Sequence, residues 1–281
     1  MWKDEVSLWS DAVMKSPQKY RPHTNLGSAY YSVQKYNLSL QEYQHALKIH
    51  QHDPTVYVDM GRVYEHMGMD DPAMELFEEA LKIDPNYYKA LIYSGDIYRK
   101  KGLMSRAFKN FNEALEINPH AIETYIALGI AYLDLNRIDS AITAFRKSLA
   151  IDPDNLLANN NLGIALDKAG LTHEAIVHYK DVLRINPDNP HALCNLGIIY
   201  GRTGRTDEAI SLYKKALHIK PDDTVTLFNL ALAYEQSAQN NPEDHGDLIK
   251  KAVESYQNIL SIDPGYKPAR ERLSQLQKTS Q

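Results

Sequence analysis

Asn161, Asn195 and Asn229 recur at intervals of 34 residues. A primary amide repeated at a fixed spacing suits one task in particular. Its side chain offers a donor and an acceptor together, so each copy can match one peptide group whatever side chain that group carries. Other chemically capable residues lack the spacing their chemistry needs. His173-Glu174 followed by His178 has one residue too many for the zinc motif His-Glu-x-x-His, so the imidazoles would not share one helix face as ligands must. Asp152-Pro153-Asp154-Asn155 opens like a calcium loop but lacks the glycine and the closing glutamate. There is no Gly-x-x-x-x-Gly-Lys phosphate cradle and no Gly-x-Ser-x-Gly elbow. Cys194 has no basic neighbour in sequence and reads as a packed thiol. No catalytic residue, metal ligand or cofactor is expected of this chain.

The asparagines sit inside a longer pattern that must position them. Gly27, Gly61, Gly95, Gly129, Gly163 and Gly197 are each 34 residues apart, and Ala231 continues the series. A period of this length marks an array of repeats. With the glycine as position 8, repeats span 20–53, 54–87, 88–121, 122–155, 156–189, 190–223 and 224–266. Position 24 is aromatic, as in Tyr43, Phe77, Phe111, Phe145, Tyr179 and Tyr213, and position 20 is small, as in Ala73 and Ala107. Two helix-length stretches fit in each unit, divided at position 15 by Gly68, Gly102, Asn136, Gly170 or Gly204. Those residue types suit the left-handed conformation that ends a helix. Small residues at positions 8 and 20 let the two helices approach, with the aromatics filling the space between them. Proline at position 32, as in Pro85 and Pro119, stops the second helix.

This pattern resembles the tetratricopeptide repeat family over nearly the whole chain. The resemblance implies an all-α, right-handed α-solenoid forming a single array over 1–281. It also implies that the first helix of each repeat lines a concave groove at positions 2, 5, 6, 9, 12 and 13. Asn161, Asn195 and Asn229 all fall at position 6, where similar asparagine ladders in the family hold the backbone of extended peptides. Ile164, Ile198 and Leu232 lie beside them at position 9, and position 5 adds Cys194 and Phe228. A solvated face does not usually carry such an apolar strip. The other end of the groove is charged, with Arg62, Glu65, His66, Lys89, Asp96, Arg99 and Lys100. The lysine and arginine spacing of the family's carboxylate clamp for chaperone tails is missing. The implied function is a non-catalytic protein-interaction scaffold that binds an extended peptide or partner segment.

Both ends depart from the repeat. Residues 3–19 carry the second half of a repeat, with Trp2, Val6, Trp9 and Val13 on one helical face. This face is expected to pack on the helix at 20–33, and it could also meet a second copy in a self-assembling scaffold. The run from Trp2 to Val13, with Ser16-Pro17 and Arg21-Pro22-His23-Thr24-Asn25-Leu26-Gly27, resembles the junction of polytopic glycosyltransferase-like membrane proteins. That likeness implies an alternative role as a soluble regulatory or substrate-recruiting arm tethered to a membrane domain of a longer parent, on its non-cytoplasmic side. It also makes Met1 doubtful as the natural start. A cytoplasmic location stays equally open. Near 237–250 repeat seven holds about nine extra residues, read as a surface loop. A final helix over 267–278 would turn Ala269, Leu273 and Leu276 inward and Arg270, Glu271, Arg272, Gln275 and Lys278 outward as a solubilising cap.

Composition narrows the partner. The formal net charge of −5 gives no basic footprint for nucleic acid. No apolar run reaches the 18 or so residues of a membrane span, so no membrane insertion is expected from this chain. Nineteen tyrosines against five phenylalanines suggest aromatics that keep one polar end at a surface.

Overall fold

The computed structural model describes residues 2–279, with side chains through 276. Met1 and the Lys278 side chain lie outside the described residues. Every regular element among them is helical. The fold class is all-α, an α-solenoid of helix-turn-helix repeats, and the chain divides into two compact units at Ala131 and Tyr132.

The first unit contains α1 (Glu5–Lys15), α2 (Tyr20–Ser32), α3 (Tyr36–Ile49), α4 (Pro54–His66), α5 (Asp70–Ile83), α6 (Tyr88–Lys100), α7 (Met104–Ile117) and most of α8 (Ile122–Asp134). α2 packs on α3, α4 on α5 and α6 on α7, while α2, α4 and α6 also touch in series. The reason lies at positions 8 and 24. A Cβ on Gly27, Gly61 or Gly95 would fall within 2.4–2.7 Å of the ring of Tyr43, Phe77 or Phe111. Each helix pair therefore closes on a bare backbone. Phe77 and Phe111 are fully buried there, each contributing about 1.5–3 kcal/mol of apolar burial.

α1 packs on α2 and has no fully buried residue; Trp2 is 55% and Met14 74% exposed. Buried His23 of α2 ties the segment after α1 to α3. The ring Nδ1 lies 2.6 Å from Glu42 Oε2 and Nε2 lies 3.0 Å from the Pro17 carbonyl.

The second unit takes the end of α8, then α9 (Ile138–Ile151), α10 (Leu156–Lys168), α11 (Thr172–Ile185), α12 (Pro190–Arg202), α13 (Thr206–Ile219), α14 (Thr224–Asn240), α15 (His245–Ile262) and α16 (Lys267–Thr279). α10, α12 and α14 touch in series, each backed by its own second helix. Asn155, Asn189 and Asp223 cap them, each side chain accepting from a backbone N–H in the first turn. At position 15 Gly68, Gly102, Gly170 and Gly204 have φ of +75 to +82°, and Asn136 +55°. Gln34 takes the same role in the first repeat at +59°, without a sequence signal.

Two expectations are corrected here. The extra residues of repeat seven are not a loop. α14 runs 17 residues where α12 runs 13, and α15 runs 18 where α13 runs 14. Ser237 and Ala238 are buried and residues 239–247 are exposed, so the extra residues lengthen both helices and the connection between them, with its short turn at Pro242–Asp244, stays at the surface. In α16, Arg272 turns inward instead of outward. Its Nη2 donates to Glu235 Oε2 at 2.8 Å, and Glu235 is buried. No helix among the described residues is long and apolar enough to cross a membrane.

Candidate functional site

The three asparagines stand on α10, α12 and α14, half-buried, on consecutive first helices. Their amides are oriented by the protein itself. Asn161 Nδ2 donates to the Leu157 carbonyl and Asn229 Nδ2 to the Val225 carbonyl, each at 2.9 Å and one turn back in its own helix. Asn195 Nδ2 donates instead across to Asn160 Oδ1 at 3.3 Å. One amide hydrogen of each is thus engaged, and the three carbonyl oxygens are the side left to accept. A row of oriented acceptors is complementary to the N–H groups of an extended chain.

Ile164, Ile198 and Leu232 are half-buried beside this row. Two openings flank Ile198. One, about 280 Å³, is lined by Ile198, Tyr213, Asn229, Leu232 and Ala233 with Gln236 at its edge. The other, about 230 Å³, is lined by Cys194, Asn195, Ile198, Val225 and Thr226. Cys194 is buried, and burial raises its thiol above the ordinary range, so it is a packed group. Phe228 does not extend the strip. Its ring lies 5.7 Å from those of both Tyr256 and Tyr266, which directs it toward α15 and the final turn. Sequence reasoning misses Asn160, Leu157 and Val225. The last two are 56% and 52% exposed at position 2 and widen the apolar face; their types in that column are the available signal.

The charged residues of the first unit fall into two sets. Lys100 Nζ reaches Glu65 at 2.5 Å and Asp96 at 3.0 Å, and Arg99 Nε reaches Asp96 at 2.7 Å. Burial works to raise Asp96, but the hydrogen bonds from Arg99 and Lys100 outweigh it and hold the carboxyl below its ordinary range. This quartet is satisfied internally. Arg62 belongs to the other set. Its guanidinium lies 5.1 Å from the ring centroids of both Tyr31 and Tyr93, on the preceding and following first helices. Asp59 Oδ1 is 3.7 Å from it, beyond hydrogen-bond distance. Burial raises the Asp59 carboxyl, against the pull of Arg62 and Lys89. Tyr31 also meets His66 edge-on at 5.2 Å. Lys89 stands exposed on α6. Positions 12, 9 and 6 of three successive repeats thus build an aromatic-arginine cluster that the charge pattern alone does not reveal. Among the described residues no group of three or more potential ligands could hold a metal ion.

The family model described as tetratricopeptide repeat matches residues 20–86, 88–154 and 154–222. Among solved structures the chain is similar to the hetero-tetramer Cut9-Hcn1 of APC/C, with a TM-score of 0.78 at 18% identity, over 96% of this chain and 52% of that one. It is similar to yeast Tom70, with a TM-score of 0.66 at 15% identity, over 98% and 58%. A third likeness is to the thermophilic TPR protein TTC0263 of Thermus thermophilus, at 0.57 and 26% identity, over 64% and 98%. The chain spans about half the length of the first of these. Comparison with curated protein sequences found no match.

Proposed function

This chain belongs to the tetratricopeptide repeat family, and from that premise we propose that it is a non-catalytic interaction module. Proteins of this family mediate protein–protein contacts. The ligand in this reading is an extended polypeptide segment running across α10, α12 and α14. One observation carries the reading: three carbonyl oxygens of Asn161, Asn195 and Asn229, the first and last held by their own helices and the middle one by Asn160, beside half-buried Ile164, Ile198 and Leu232. Backbone N–H groups match the oxygens and side chains match the apolar strip.

Affinity follows from the parts. Three amide hydrogen bonds at roughly 0.5–1.5 kcal/mol each supply about 2–5 kcal/mol. Three aliphatic contacts burying roughly 40 Å² each add about 1 kcal/mol apiece. A micromolar complex needs about 8 kcal/mol, and ordering the segment subtracts from the sum. Binding through this face alone is therefore weak and tolerant of sequence.

The test compares wild type with Asn195→Ala/Asn229→Ala against a library of extended peptides. The double variant is expected to keep its thermal midpoint and to lose about 1–3 kcal/mol of binding, roughly five- to 150-fold. Unchanged affinity would remove the asparagines from the site.

A further inference from the structure

Repeat six departs from the others at position 12. That position carries Tyr31, Glu65, Arg99, Leu133, Asp167 and Glu235 elsewhere, and Gly201 here. Packing does not ask for this glycine. A Cβ at 201 would meet nothing closer than 3.8 Å, from Ala209 Cβ and the Tyr213 hydroxyl, whereas a Cβ on Gly197 one turn earlier would lie 2.6 Å from the Tyr213 ring. A helical glycine weakens its helix relative to alanine, and here no close approach compensates. What the missing side chain leaves is space, namely the 280 Å³ opening beside Ile198, Leu232 and Asn229.

The floor of that opening is a polar atom without a partner. Tyr213 is 3% exposed and its hydroxyl makes no hydrogen bond among the described residues, as is true of Tyr179 in repeat five, but only Tyr213 has a glycine at position 12 of its repeat. Buried tyrosine hydroxyls ordinarily find one. The equivalent place in repeat seven is filled. There Tyr256, counterpart of Tyr213, donates to Glu235 Oε1 at 2.5 Å, and Glu235 is the counterpart of Gly201. In the first repeat the counterpart Tyr43 meets the Ser28 hydroxyl at 3.0 Å. The chain thus displays, one repeat further on, the group that fits over such a tyrosine.

We propose that the opening over Tyr213 is a subsite for a Glu- or Gln-length side chain of the bound segment, whose terminal oxygen accepts from the Tyr213 hydroxyl. Ile198, Leu232 and Ala233 flank the aliphatic stem. Arg202, ion-paired with Asp167, stands at the rim and faces the end of the side chain. The subsite deepens the groove reading and rests on it.

The experiment uses fluorescein-labelled decapeptide pools, each with Gln, Glu, Leu or Ala fixed at one position and mixed residues elsewhere. Pools are titrated by anisotropy into the 281-residue chain and two variants. At one position the Gln or Glu pool is expected to bind about two- to tenfold tighter than the Leu and Ala pools, as one added hydrogen bond allows. Either residue supports the subsite, and Glu above Gln adds a charge contribution from Arg202. Tyr213→Phe should erase the preference and leave the Ala pool unchanged. Gly201→Glu, which supplies the acceptor from the chain itself, should keep or raise Tm and also erase the preference. A preference that survives Tyr213→Phe, or a lowered Tm in Gly201→Glu, overturns the subsite while groove binding stands. Pools that bind no form of the protein overturn the groove reading and the subsite with it.

Discussion

A Cβ on Gly61 would lie 2.4 Å from the ring of Phe77, closer than carbon atoms pack. The fully buried ring occupies the place a side chain would need. Gly61→Ala must therefore push α4 off α5 or turn the ring, at about 1–3 kcal/mol as for other overpacked cores. Urea denaturation measures it. Ala231 holds the same position in repeat seven and is fully buried there. Gly201→Ala, with no contact inside 3.8 Å, is the matched control and should be neutral or stabilising by up to about 1 kcal/mol. Equal losses at both glycines would contradict the contact argument.

Arg62 and Asp59 give a pH dependence with a defined sign. The Asp59 carboxyl is raised by burial, so the folded state holds this proton more tightly than the unfolded chain does. Ionising it costs stability as pH rises from about 4 through the raised folded value. Asp59→Asn should then stabilise the protein at pH 7 and do little near pH 3.5. Arg62→Ala should cost about 1–2 kcal/mol at either pH through its two ring contacts. It should cost more at pH 7, where Asp59 loses its nearest positive charge. Denaturation curves at the two pH values decide the matter, and a larger loss at the lower pH would refute it.

The histidine whose spacing fails a zinc motif has a structural role. His178 Nδ1 lies 2.9 Å from Asn159 Oδ1, and the Asn159 amide donates to the carbonyls of Pro153 and Asn155. The neutral ring with its hydrogen on Nδ1 completes this chain of bonds. Burial lowers the His178 pKa from its ordinary 6.5. The unfolded chain then binds the proton more readily, so stability falls as pH drops below about 6.5. An NMR titration of the ring should place its midpoint below that of a free histidine; a midpoint above it would show that burial does not govern the ring.

Some of this is legible in the sequence and some is not, for physical reasons. Gly61 with Phe77 can be read because only a bare backbone and a large ring satisfy the contact, and the demand recurs every 34 residues. Gly68 and Asn136 can be read because few residues adopt positive φ; Gln34 in the same conformation carries no such mark. The asparagine positions are visible, but their direction is not. An amide can donate back to its own helix, as Asn161 does, or across to a neighbour, as Asn195 does, and residue type does not choose between them. The insertion of repeat seven misleads because Asn240-Asn241-Pro242 reads as a loop opening, while buried Ser237 and Ala238 upstream continue a helix. Charge alone places Arg272 outward. Its partner Glu235 is 37 residues away and buried, and burial of an acid in a first helix leaves no periodic trace.

That last pair sets the strongest prediction for the C-terminal helix. Glu235 takes one hydrogen bond from Tyr256 and one from Arg272, so α16 is tied to α14 and α15 through a buried carboxylate. Arg272→Ala leaves that charge with the tyrosine alone. The loss should be about 1.5–3 kcal/mol, the range for hydrogen bonds to charged groups. The effect should appear first as faster amide exchange in α16 and the end of α15, with the first unit unchanged. Glu235→Gln/Arg272→Ala should recover part of the loss, because no unpaired charge then remains buried. If the double variant is as unstable as Arg272→Ala, the stem of Arg272 packs the helix and its charge does not. If neither variant alters exchange in α16, the ion pair does not hold the helix in place.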